Sequence, residues 1–156
     1  MGHSCVEVYI HAIFSTKNRF PLIPEELETR LYAYISGVAK QNNIPILDIN
    51  GVSDHIHILL KLSSTITIST LLKELKSYSS AWMKKQNIKD FAWQEGYAAY
   101  SCSITHVDAL KQYIATQKEH HKTVTYVDEI IRLNKLWNTN FSPDAKSDTE
   151  SDLNRP

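Results

Sequence analysis

The sequence predicts an α+β fold, a four-stranded antiparallel sheet in the order βαββαβ with additional C-terminal helices. Three observations carry this prediction. Four short runs alternate apolar with polar residues, as half-buried strands do. Two longer runs place apolar residues at helical spacing between those strands. The dipeptide Asn50-Gly51 separates the second and third strand runs, a favoured signal for a two-residue hairpin.

Each element has its own signal. Val6, Val8, Ile10, Ala12 and Phe14 alternate with Glu7, Tyr9 and His11, giving a first strand over about residues 5–14. Pro21 and Pro24 punctuate the loop that follows. Leu27, Leu31, Tyr34, Ile35 and Val38 form a helical stripe, with Glu25, Glu26 and Glu28 in the first turn, where the helix dipole favours acids. A second strand covers Ile44 to Ile49, and Asn50-Gly51 turns the chain into a third over about 52–62. Ile68, Leu71, Leu72, Leu75, Tyr78 and Trp82 mark a second helix. Tyr97 to Ile104 reads as the fourth strand, and helices over about 106–120 and 124–136 close the body. Residues 1–137 are therefore expected to form one domain and the polar residues 138–156 a disordered tail. Such a split-βαβ, ferredoxin-like sheet places its crossover helices on one side, with strand order 4-1-3-2.

Composition narrows the function classes. A chain of 156 residues, 42% of them hydrophobic, suits one globular domain with a real core. No apolar run reaches the roughly 20 residues of a membrane span, no signal-peptide pattern opens the chain, and Cys5 and Cys102 are too few for a disulfide scaffold. A cytoplasmic location is expected. Net charge is zero, with fifteen Lys and Arg against thirteen Asp and Glu in residues 1–137 and two against four beyond. Bulk charge thus neither supports nor excludes a nucleic-acid partner.

The chemistry concentrates in Asp54-His55-Ile56-His57. Side chains at i and i+2 of a strand share a face, so His55 and His57 present their imidazoles side by side, as a metal site or a hydrogen-bonded pair. Parity assigns Val52, Ile56, Ile58, Leu60 and Leu62 to the helix-covered face. It assigns Ser53, His55, His57, Leu59 and Lys61 to the other, which is expected to be open to a substrate. His11 has matching parity on the neighbouring strand, where an exposed surface histidine is the simpler expectation. Further along, Thr105-His106-Val107-Asp108 resembles a capping box. On the helix it would open, Tyr113 and Gln117 lie one turn apart, with His106 and His120 near the same line. A tyrosine at a core edge is the plainer reading of that pair; a nucleophile beside a metal-reaching amide is the functional one.

Several blocks, taken together, resemble the single-tyrosine HUH transposases, the IS200-like enzymes of insertion sequences that move as single-stranded DNA. They are His11 with Thr16-Lys17-Asn18-Arg19-Phe20-Pro21, then Asp54-His55-Ile56-His57-Ile58-Leu59, then Trp93-Gln94-Glu95-Gly96-Tyr97. Lys111-Gln112-Tyr113-Ile114-Ala115-Thr116-Gln117 completes the set, with His120-His121-Lys122 behind it. The sequence departs from the family pattern at Asn18, where an aromatic is common, and at Ser101-Cys102-Ser103-Ile104, where a glycine is usual.

The resemblance implies that Tyr113 is the nucleophile and that His55, His57 and Gln117 hold a divalent metal. It implies DNA contacts from Lys17 and Arg19, hairpin substrates near the element's ends, and a homodimer whose tyrosine helix completes the partner's site. Imidazoles alone suggest zinc or another borderline metal, whereas the resemblance implies Mg2+ or Mn2+. The implied reaction joins a DNA 5′-phosphate to Tyr113 and frees a 3′-hydroxyl, so that a second 3′-hydroxyl can reverse it without ATP. Two other classes compete: a non-catalytic single-stranded nucleic-acid-binding module, and a metal-dependent phosphodiester hydrolase using the same histidines.

Overall fold

A computed structural model describes residues 2–142. Strands β1 (Val8–Ser15), β2 (Ile46–Gly51), β3 (His55–Leu62) and β4 (Ala98–Cys102) form one antiparallel sheet in the order β2-β3-β1-β4. Helices α1 (Glu25–Gln41) and α2 (Ile68–Lys85) are the crossovers. The βαββαβ order and the predicted strand sequence both hold. Ile10, Ala12 and Phe14 of β1 and Ile56, Ile58 and Leu60 of β3 point to the same side. There they pack against Leu31 and Ile35 of α1 and Leu71, Leu72 and Leu75 of α2. The alternation in the sequence exists because this face must be apolar to bury two helices.

The other face is also covered. Helices α3 (Val107–Ala115), α4 (Gln117–His120) and α5 (Tyr126–Trp137) lie over it. Leu59 packs with Val107 and Ile114, and Ile13, Ala98 and Tyr100 pack with Tyr126 and Ile130. The open face expected from strand parity is therefore a buried one. The physical reason is plain in these residues: Ile13, Leu59 and Ala98 are apolar on the side away from α1 and α2, and leaving them wet would forfeit about 25 cal/mol for each Å² of apolar surface.

The hairpin turn also differs from expectation. Asn50 and Gly51 end β2, paired with His57 and Ile56, and the chain reverses at Val52–Asp54. The backbone N–H of Val52 donates to the His55 carbonyl at 3.1 Å. Asn50 instead serves α3: its side-chain amide donates to the Ile114 carbonyl at 2.9 Å, satisfying a helix-terminal acceptor. Gly51 is required by close approach, since a Cβ there would lie 2.2 Å from the His55 carbonyl oxygen. Gly51→Ala is expected to destabilise the fold by at least the ~1–3 kcal/mol of an overpacked core, because backbone must move. A urea titration of the variant measures this directly.

The capping box expected at Thr105–Asp108 is replaced by a 3-10 turn, Ile104–His106, with no side-chain cap at His106. A true capping box opens α5, where Thr125 and Asp128 exchange side-chain and backbone hydrogen bonds. Asn138 closes that helix with a left-handed backbone, and Asn134 then binds the backbone of Phe141. Of the segment expected to be a tail, residues 143–156 lie outside the described residues. No helix among the described residues is long and apolar enough to cross a membrane.

Candidate active site

His55 and His57 project from β3 onto the α3–α5 side, and both are wholly buried. His11 is buried beside them rather than exposed, because its β1 position places it under the same helices. Its Nε2 lies 2.8 Å from His57 Nδ1, and the two rings stack at 5.1 Å. Asp54 Oδ1 lies 2.7 Å from His55 Nδ1, a contact that leaves His55 Nε2 aimed into the cluster.

Tyr113, on α3, presents its ring edge to His57 at 5.7 Å between centroids. Its hydroxyl donates a short hydrogen bond to Glu129 Oε2. Helix α3 ends at Thr116, so Gln117 opens α4 instead of continuing the same rod. Gln117 is fully buried, and its Oε1 lies 2.9 Å from His121 Nε2, which in turn lies 3.0 Å from His55 Nε2. Gln117 thus meets the histidine pair through His121. His120 Nε2 sits 3.2 Å from Glu129 Oε2, while His106 hydrogen-bonds Ser103 at the exposed start of α3.

Two central residues escaped the reading of individual positions. His121 was noticed only as part of a trailing block, and Glu129 was not singled out. A signal for Glu129 exists: it falls within the apolar stripe Tyr126, Ile130, Leu133 of α5, where a carboxylate needs partners. Glu129 Oε1 is 2.8 Å from His57 Nε2 and 3.6 Å from His55 Nε2. Ligand-capable atoms of His55, His57, His121 and Glu129 all lie within 4.8 Å of one another. His57 Nε2 and Glu129 Oε1 are close but misaligned for a hydrogen bond, so both buried atoms lack one. Buried donors of nitrogen and oxygen type, converging and short of partners, fit a divalent cation.

The electrostatics follow from burial. Burial pushes His57 down to about 4, against the pull of Glu129, and pushes His11 down to about 3, so both are neutral imidazoles at neutral pH. Burial also opposes charge on His55, but hydrogen bonds to Asp54 and Glu129 outweigh it and raise that group. Burial first, and then the Glu129 carboxylate, raise Tyr113 above the ordinary tyrosine range. Glu129 is lowered despite its burial, by hydrogen bonds from His121, His55 and His57.

These shifts have a consequence for acid stability of the metal-free protein. An unfolded histidine near 6.5 takes up a proton before folded His11 does, so stability falls as pH drops from 6.5 toward 3. The slope is at most about 1.4 kcal/mol per pH unit for one group. The raised His55 acts in the opposite sense below its folded pKa. Urea midpoints in EDTA should fall between pH 7 and pH 4.5, and fall less in His11→Gln.

Other blocks of the sequence play supporting parts. Trp93 donates to Ser79 Oγ at 2.9 Å and packs edge-on against Phe14 and Phe91. Gln94 Oε1 accepts from the backbone and hydroxyl of Ser15, tying down the end of β1. Gly96 holds a left-handed backbone, φ 78°, and its carbonyl accepts from Lys76 at 2.8 Å. Lys17 and Arg19 lie on a 3-10 turn directly after β1, Lys17 exposed and Arg19 half-buried. Thr16, just before that turn, hydrogen-bonds the Asp54 carbonyl at 2.8 Å, which sets both cations at the sheet end where the histidine strand begins. On the opposite side of Tyr113, a cavity of about 670 Å³ is lined by Tyr100, Arg132, Leu133 and Trp137, and by Tyr113 itself.

Known structures share this architecture. A candidate transposase from Deinococcus radiodurans R1 aligns at TM-score 0.58 and 24% identity, over 75% of this chain and 96% of its own. A REP-associated tyrosine transposase, solved bound to a REP hairpin, aligns at TM-score 0.58 and 15% identity, over 95% of this chain and 90% of its own. At those identities the likeness concerns the fold. No curated protein matches the sequence. The family model for IS200-like transposases matches residues 4–117, from the start of the sheet through Tyr113 to Gln117. The chain belongs to the IS200-like transposase family.

Proposed function

We propose that this transposase cleaves and rejoins single-stranded DNA through a 5′-phosphotyrosine link at Tyr113, in a metal-dependent reaction. One observation carries the reading: a tyrosine hydroxyl and a buried histidine pair come together within one chain, the rings 5.7 Å apart. His55 and His57 would hold Mg2+ or Mn2+, with Gln117 as the third ligand that the resemblance implies. When bound, such an ion stabilises the charge that develops on the scissile phosphate.

The remaining work falls to the chain's own groups. Tyr113 begins as a phenol, because its environment disfavours the phenolate. Its hydroxyl already donates to Glu129, so the proton has an acceptor in reach as the oxygen attacks phosphorus. The phosphorus–oxygen bond to the departing strand breaks, and that strand leaves with a 3′-hydroxyl. The cavity beside Tyr113 offers Tyr100 and Trp137, stacked at 5.4 Å, as an aromatic wall for a nucleotide, and Arg132 as a cation for its phosphate. Lys17 and Arg19 are placed to meet backbone phosphates, which position a strand without reading its sequence. Hairpin-forming DNA is the proposed substrate, in keeping with the REP hairpin held by the structural neighbour. Because one chain assembles pair and nucleophile, a homodimer in this reading holds two DNA ends without having to complete either site.

The test is a denaturing gel of protein mixed with single-stranded hairpin oligonucleotides from the flanks of its gene, with Mn2+. A slow band that survives denaturant and contains both protein and DNA is the expected result. Cleavage without that band would point to a hydrolase, and tight metal-independent binding without cleavage to a binding module.

A further inference from the structure

We infer that the segment beyond the family-matched region adds two metal ligands of its own, His121 and Glu129, and so builds a closed four-ligand site that selects a transition ion such as Zn2+ over Mg2+. The inference rests on the reading of His55 and His57 as metal ligands and extends it. Its starting point is a hydrogen count. His121 Nδ1 lies 2.7 Å from the Val124 carbonyl, which can only accept, so Nδ1 carries the hydrogen. His55 Nδ1 lies 2.7 Å from the Asp54 carboxylate and donates to it likewise. In the neutral imidazoles, both Nε2 atoms are then bare lone pairs, yet they stand 3.0 Å apart.

The surrounding atoms deepen the conflict. His121 Nε2 also faces Gln117 Oε1 at 2.9 Å and Glu129 Oε2 at 3.3 Å. His57 Nε2 faces Glu129 Oε1 at 2.8 Å, with no hydrogen-bond alignment between them. Acceptors crowding acceptors in a buried site are stable only around a positive charge. A proton can serve one pair of atoms; a metal ion serves all four donors at once. His55, His57 and Glu129 are at most 1% exposed, so the donor set does not owe its closeness to a mobile surface.

The donor set itself chooses the metal. Three imidazole nitrogens and one carboxylate suit Zn2+ or Co2+ in four-coordinate geometry, whereas Mg2+ prefers six oxygens and keeps its waters. The orienting contacts are of the kind that tune such sites: Asp54 behind His55, a backbone carbonyl behind His121, and His11 behind His57. Glu129 can divide its oxygens, Oε1 toward the histidine pair and Oε2 toward Tyr113.

The experiment is metal binding by the full chain without DNA. Zn2+ affinity is measured by competition with a chromophoric chelator, and Co2+ loading by visible absorption, in wild type, His121→Ala, Glu129→Gln and His57→Gln. Thermal melts confirm that each variant is folded. Wild type is expected to bind one Zn2+ far more tightly than Mg2+ and to give the strong visible bands of four-coordinate cobalt. His121→Ala and Glu129→Gln should each weaken Zn2+ by at least about 10-fold and bleach those bands. If His57→Gln alone loses the metal while the other two bind as wild type, the inference is overturned and the histidine-pair reading stands. If wild type binds no divalent ion, both fail.

Discussion

Tyr113→Phe is expected to abolish the covalent protein–DNA species while leaving the protein folded. Phenylalanine keeps the ring that sits edge-on to His57 and His120 and removes only the hydroxyl. The lost hydrogen bond to Glu129 costs little, because that carboxylate retains histidine neighbours on both oxygens. The melting temperature should therefore shift by a few degrees at most. Strand transfer should drop by roughly three orders of magnitude or more, as when an attacking group is deleted elsewhere. No other hydroxyl in the cluster can substitute, since the groups converging on the pair are imidazoles, an amide and a carboxylate. A denaturing gel scored for adduct, with a thermal melt beside it, measures both halves. Cleavage persisting in the variant would mean that water attacks the phosphate, and the hydrolase reading would replace the tyrosine one.

How much of this was legible in the sequence depends on the range of the interaction. Strand parity is local, so the side of the sheet taken by His55, His57 and His11 could be read from alternation alone. Whether that side is wet or dry is not local. It depends on α3–α5 folding back across the strands, and the exposure expected for His11 failed for that reason. Asn50-Gly51 failed in a related way. Its turn propensity was overridden by tertiary demands, the α3 carbonyl that Asn50 caps and the close backbone approach that Gly51 permits. Tyr113 and Gln117 were paired by helical spacing, but the break at Thr116 turns Gln117 toward His121, which periodicity cannot reveal. Glu129 was the least visible, because a carboxylate shows its partners only when a helix from far along the chain delivers it to them.

His57→Gln is expected to remove metal-dependent cleavage by more than about 100-fold, exceeding what partners behind a ligand usually command. Glutamine fills most of the space of the imidazole but cannot present a ring nitrogen to Glu129 Oε1 and another to His11. The informative step is to mix this variant with Tyr113→Phe. If the tyrosine helix were exchanged between subunits, a mixed dimer would contain one site with both an intact histidine pair and an intact tyrosine, and activity would return. In this structure the chain's own Tyr113 stands against its own His57, and α5 locks that arrangement through Glu129, which touches the tyrosine and both histidines. Ile13, Leu59, Ala98 and Tyr100 would lose their cover if α3–α5 left for a partner, an apolar exposure that opposes exchange. The mixture should therefore stay inactive at any ratio, after co-refolding as well as after simple mixing. Recovery on co-refolding would show that the helices cross between subunits, and would reassign the same residues to a shared site.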